Sequence, residues 1–194
     1  QQRLEQAEAT YDEAIAARSE LVDRFPAKTE YERQLLNSRM NRGMVRQRMG
    51  GLVADQEKFE QAQKFYEEAR SRVEEVQAGL RNLLARLDET SGGRREVIQD
   101  LAQCSYNMAN VTWWLGDLEA TSENVAAAVA AFDTLLAAQP NHLENQYDQA
   151  HCLMLGGDVK SEQLRLLDPG QGAEKEKLYA AALAAYERAK TTLE

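Results

Sequence analysis

Residues 96–120, EVIQDLAQCSYNMANVTWWLGDLEA, decide the fold of this chain, because a near copy stands upstream at residues 30–50, EYERQLLNSRMNRGMVRQRMG. At one constant offset Glu30 pairs with Glu96, Leu35 with Leu101, Asn41 with Asn107, Gly43 with Ala109 and Gly50 with Gly116. Both copies run at helical spacing and end on glycine. Self-similar helical units at a fixed offset are the mark of a repeat architecture.

Outward from this pair, the same helical texture extends over the chain. Residues 3–24 place Leu4, Ala7, Tyr11, Ala14, Ile15, Leu21 and Val22 close to a 3.6-residue period, and Pro26 closes the segment. A second helix is expected from an N-cap at Thr29 to Met49, stopped by Gly50-Gly51, with 51–56 a short loop or helical lead-in. The third, residues 56–87, would reach roughly 45 Å if Gly79 does not break it. DETSGGRR at 88–95 has the composition of a linker. Helix four is expected over 95–115 with Gly116 at its end, and helix five over 118–138 with Pro140 after it. Helix six is expected over 143–155, ended by Gly156-Gly157, and 158–172 reads as a long insertion with one helical turn at 162–167. Helix seven runs from Ala173 onward. No stretch alternates with the period of a half-buried strand. The expected architecture is all-α, about seven helices with antiparallel neighbours.

Composition agrees. Ala, Glu, Gln, Leu and Arg dominate and only 3 Pro interrupt them, and these residues lose little freedom in a helix. A net charge of −9 and a pI near 4.9 argue against a general nucleic-acid or anionic-membrane binder. No run approaches a membrane span. Cys104 and Cys152 form neither a disulfide framework nor a metal-ligand spacing, so a reducing, cytoplasmic setting is the expectation. The chain begins at Gln1, already in helical pattern, and reads as an excised piece of a longer protein.

The odd-numbered helices share an internal code. Ala7, Tyr11 and Ala14 stand at i, i+4 and i+7, and Ala62, Tyr66 and Ala69 repeat the trio, as do Ala182, Tyr186 and Ala189. Helix five keeps the spacing with Thr121, Val125 and Ala128. Small residues let antiparallel helices approach, and the aromatic between them fills the groove. Together with Gly43, Ala109 and Ala150 in the preceding helices, and Gly50, Gly116 and Gly157 seven positions on, the pattern resembles the tetratricopeptide repeat. Pro26 and Pro140 stand 19 residues after Ala7 and Thr121, later than the family's closing proline, so these helices look extended. The extended form, with Glu30-Tyr31-Glu32-Arg33 before the second helix, is similar to tetratricopeptide segments that follow Ser/Thr kinase domains in some bacteria. Arg39, Ser105 and Gln146 depart from the family's tryptophan position.

The resemblance implies a right-handed superhelix divided as one helix B at 1–26 and repeats at 27–90, 91–140 and 141–194. It also places the even-numbered helices on a concave, partner-binding face. Counted from the small residues, that face would present Asn37, Met40, Met44, Gln47 and Arg48, then Gln103, Tyr106, Asn110 and Trp113, then Glu144, Tyr147, His151 and Met154. Such a mixture of Met, aromatic and polar groups suits a peptide segment. Met40 and Met44 stand where chaperone-binding members carry Lys and Asn, so an acidic EEVD-type tail is not implied.

Chemistry is harder to find. His142 and His151 are the only histidines, and His151-Cys152, though adjacent, would point about 100° apart on a helix. The glycine pairs lack any phosphate-loop context. No catalytic set, metal or cofactor is therefore expected. For Trp113-Trp114 the choice lies between helix packing and a ligand contact; for the row Arg39, Arg42 and Arg46, between a Glu-paired face and a basic strip. The functional expectation is a non-enzymatic protein- or peptide-binding scaffold. The alternative is a regulatory or sensor segment of a larger enzyme such as a bacterial Ser/Thr kinase.

Overall fold

In the computed structural model, which describes residues 2–168 and 170–193, the helix-rich composition is realised as seven α-helices. They are α1 (Gln2–Arg24), α2 (Thr29–Ala54), α3 (Phe59–Arg86), α4 (Gly92–Trp114), α5 (Leu118–Ala138), α6 (Leu143–Leu166) and α7 (Gly172–Leu193). Each helix packs on the next, and α2 also touches α4, as α4 touches α6. Among the described residues the odd helices make no comparable approach to one another. The even helices thus form the closer-packed layer.

The stop signals act unequally. Gly116 adopts φ +75°, a left-handed conformation that costs an L side chain dearly, and it turns the chain from α4 into α5. Asp117 then caps α5 by accepting from Ala120 N at 3.0 Å, and His142 caps α6 by accepting from Asn145 N at 3.3 Å. Gly50 and Gly157, by contrast, end nothing. α2 runs on to Ala54 and α6 on to Leu166, so the expected insertion at 158–172 is mostly helix, and the loop shrinks to 167–171. Part of that expected insertion, Pro169, lies outside the described residues. Thr29 is the first residue of α2, with Lys28 at the cap, and α4 starts inside the expected linker, at Gly92. α3 passes unbroken through Gly79, which lies against Leu36.

Close packing explains the two glycines that failed to stop a helix. A Cβ at Gly50 would stand 2.6 Å from Tyr66 Cε1, and one at Gly157 would stand 2.5 Å from Tyr186 Cε1. Each glycine seats the tyrosine of the following odd helix. Where the neighbouring helix supplies that much burial, glycine's cost in a helix, about 1 kcal/mol, is outweighed.

The largest core lies between α2, α3 and α4 and includes Leu36, Met40, Val73, Leu80, Val97 and Met108. A second, with Ala102, Ala128, Phe132, Leu135 and Cys152, joins α4, α5 and α6. Ala150, Leu153 and Ala189 join α6 to α7. No residue of α1 is fully buried; its apolar stripe, with Leu4, Tyr11, Ile15 and Val22, is half-buried, and ion pairs add to the contact. Glu8 accepts from Arg46 at 2.7 Å and from Arg72 at 3.1 Å, while Asp12 pairs with Arg42 at 2.7 Å. Burial alone would raise the Glu8 carboxyl, but the bonds from Arg72 and Arg46 hold it below the usual carboxylate range.

Candidate partner-binding face

Positions i, i+3, i+7 and i+10 share one side of a helix, so Gln103, Tyr106, Asn110 and Trp113 form a stripe along α4, and Glu144, Tyr147, His151 and Met154 a second along α6. The helices touch, and the stripes adjoin. Tyr106 is half-buried and packs against two apolar clusters, the one that contains Phe132 and Cys152 and the one formed by Ala109, Val125 and Leu155. Asn110 Nδ2 donates to the Tyr106 carbonyl at 2.9 Å. Burial raises the Tyr106 phenol, while Asn110 opposes the rise. Its ring is thus a fixed, neutral wall.

On α6 the side chains stand out further. Tyr147 is 57% exposed and Met154 46%. The Tyr147 ring lies 4.4 Å from that of His151, tilted by 60°. Asp148 joins this group although sequence reasoning passed over it. Its carboxyl is raised by burial and by Glu144, against the pull of His151. The signal was there in the i, i+4 pair Glu144 and Asp148. The result is a shallow aromatic and Met surface on α6, edged by carboxylates and backed by the half-buried Tyr106 and Trp113 of α4.

α2 does not extend this surface as expected. Met40 is 6% exposed and belongs to the central core, and Met44 packs against the same cluster. The reason is that α3 and α4 both close on this side of α2. Asn37 is taken into the joint between α2 and α4, where its Nδ2 donates to Asp100 Oδ2 at 3.2 Å. Arg33 completes that joint, reaching Glu30, Glu96 and Asp100 at 3.1 Å each. The Glu-Tyr-x-Arg motif therefore has a packing task here. Burial raises the Asp100 carboxyl despite Arg33 and Asn37. Gln47 and Arg48 lie apart from the α4–α6 stripes, at the C-terminal end of α2 beside Tyr66 and Trp114.

The tryptophan pair divides. Trp113 is half-buried against Ala109, Val125 and Leu155. Trp114 is 55% exposed and stacks on Tyr66, with centroids 6.0 Å apart and planes 13° apart. In the arginine row Arg42 and Arg46 are paired with carboxylates and Arg39 is exposed. Cys104 and Cys152 are buried, which pushes both thiols up to about 12, so neither is a thiolate at neutral pH. Cys152 points into the core while His151 lies against Tyr147, so the two do not form a pair.

Among the described residues no cluster of His, Cys, Asp and Glu could hold a metal ion, and no helix is long and apolar enough to cross a membrane. No family model matches the chain, and no curated protein matches it.

Proposed function

We propose that the chain is a non-enzymatic, tetratricopeptide-like helical module that binds an extended segment of a protein partner along the α4–α6 face. The observation that carries this reading is the exposure of Tyr147 and Met154 on the closer-packed layer, beside the half-buried Tyr106 and Trp113. Aromatic side chains give large contact area for little entropy cost and are enriched among the residues that dominate binding energy, while the flexible thioether of Met adapts to an irregular partner surface. The carboxylates of Glu144 and Asp148 at the edge favour a segment with a Lys or Arg beside its apolar residues.

The test compares partner recovery by the wild-type chain and by a Tyr147→Ala/Met154→Ala variant. Both positions are exposed, so the circular dichroism spectrum and the urea midpoint should be unchanged while at least one partner is lost. Full recovery of every partner by the folded variant rejects the face.

A further inference from the structure

The tyrosine–glycine contact is made twice, and its two copies end differently. Tyr186 Oη donates to Asp158 Oδ1 at 2.7 Å and lies 3.4 Å from Ser161 Oγ, both on α6. Counted from Gly157 and Gly50, the matching positions on α2 hold Gly51 and Ala54, which offer no side-chain acceptor. Tyr66 is 4% exposed, and its hydroxyl has no hydrogen-bond partner among the described residues. A buried phenol left unpaired is costly, about 1–3 kcal/mol, and calls for an explanation.

Its surroundings supply one. Tyr66 and Gly51 line an open groove of about 540 Å³ between the start of α1 and the ends of α2 and α4. A Cβ at Gly51 would stand 3.9 Å from Tyr66 Oη, so α2 puts no side chain between the groove and the hydroxyl, which is nonetheless buried as the structure stands. Arg3 and Leu4 of α1, Arg48 and Leu52 of α2 and Trp114 of α4 form the walls. Arg3 and Arg48 make no ion pair among the described residues. Asp55 also lines the groove, so two cations face one carboxylate there, a local positive excess in a chain of net charge −9. Leu52 is 40% exposed, and the Trp114 ring rests on that of Tyr66.

We propose that this groove is a second recognition site, separate from the α4–α6 face, which takes the C-terminal residue of a protein partner when that residue is apolar or aromatic. Its free carboxylate accepts from the Tyr66 hydroxyl and from Arg48 or Arg3, and its side chain lies on Leu52 and Trp114. A chain end suits the site because carboxylate and side chain leave the same Cα. The donor and the apolar wall are correspondingly close, since the Trp114 ring is stacked on the ring that carries the hydroxyl. Because the hydroxyl is buried as the structure stands, entry requires the exposed Trp114 indole to shift along the Tyr66 ring while still walling the groove.

The experiment is an NMR titration of the full ¹⁵N-labelled chain, following the Trp114 indole N–H and the Gly51 and Leu52 amides. Three probes are compared: N-acetyl-phenylalanine, its carboxamide, and an acetylated Glu-Phe dipeptide with an amidated end. The acid should shift all three signals, and both amidated probes should bind about tenfold more weakly, the worth of a charge-assisted hydrogen bond. Arg48→Ala and Tyr66→Phe should each weaken the acid severalfold without altering the circular dichroism spectrum. Equal affinity for acid and carboxamide overturns the carboxylate role, and equal affinity for amidated Glu-Phe overturns the chain-end assignment. Unchanged affinity in both variants, or no shift with acid at about 10 mM, overturns the site; a fragment of this size is expected to bind in the millimolar range.

Discussion

Removing one oxygen from each of two equivalent tyrosines should change stability in opposite directions. In Tyr186→Phe the ring stays seated on Gly157, but the bond to Asp158 Oδ1, 2.7 Å long, is lost. That bond has a charged acceptor yet lies in a partly exposed setting, so its loss should cost about 1 kcal/mol. In Tyr66→Phe the ring stays on Gly50, and the hydroxyl removed is buried and unpaired. The unfolded chain hydrates that hydroxyl and the folded chain does not, so deletion should return about 1 kcal/mol, with a small void as the opposing effect. For a chain of 194 residues each change corresponds to a melting shift of about 2–4 °C, downward for Tyr186→Phe and upward for Tyr66→Phe. Urea unfolding followed by circular dichroism measures both, provided the slope with denaturant is unchanged. If Tyr66→Phe destabilises as much as Tyr186→Phe, the Tyr66 hydroxyl has a partner in the folded chain and the reasoning fails.

Other perturbations test the packing and the charges. Gly50→Ala and Gly157→Ala each force a Cβ into a tyrosine ring, so each should destabilise by about 1–3 kcal/mol, measured by the same unfolding curves; a neutral result would show that the rings move aside freely. Met40→Ala, in the central core, should cost about 2–5 kcal/mol, whereas Tyr147→Ala, on the exposed face, should stay within about 0.5 kcal/mol. Equal costs would remove the distinction drawn between core and face. Glu8 gives a pH dependence: its folded pKa lies below the unfolded value, so its contribution is present above the ordinary carboxylate range and is lost as pH falls through the folded pKa. Glu8→Gln should therefore lower stability at neutral pH and flatten its decline in acid; parallel pH profiles for the two chains would contradict the role of the Arg46 and Arg72 bonds.

Much of the architecture could be read before any coordinates, and the reason is local. Helix content follows from residues that are unstrained in a helix, and Pro26, Gly116 and Pro140 act on the backbone of their own segment, so α1, α4 and α5 end where expected. The small–aromatic–small spacing likewise named buried positions in α3, α5 and α7, because one face of a helix is a property of its own sequence, whereas Ala7, Tyr11 and Ala14 of α1 and Tyr186 of α7 are only partly buried. Ala62, Tyr66, Ala69, Ala128, Ala182 and Ala189 are all buried.

What the sequence could not settle depended on the neighbour. A glycine pair looks the same whether it ends a helix or seats an aromatic ring; only the position of Tyr66 over Gly50 and of Tyr186 over Gly157 chose the second use and carried α2 and α6 onward. The same holds for the candidate face. Met40 and Tyr147 occupy comparable register on their helices, yet α3 and α4 close over the first while the second stays open. The unpaired Tyr66 hydroxyl is legible only when two helices are brought together, because it is defined by side chains that Gly51 and Ala54 lack. By itself the sequence determined the number and order of the helices and an apolar face on each. The tertiary structure decided which of those faces remain uncovered, since burial depends on which helix arrives next and how closely it packs.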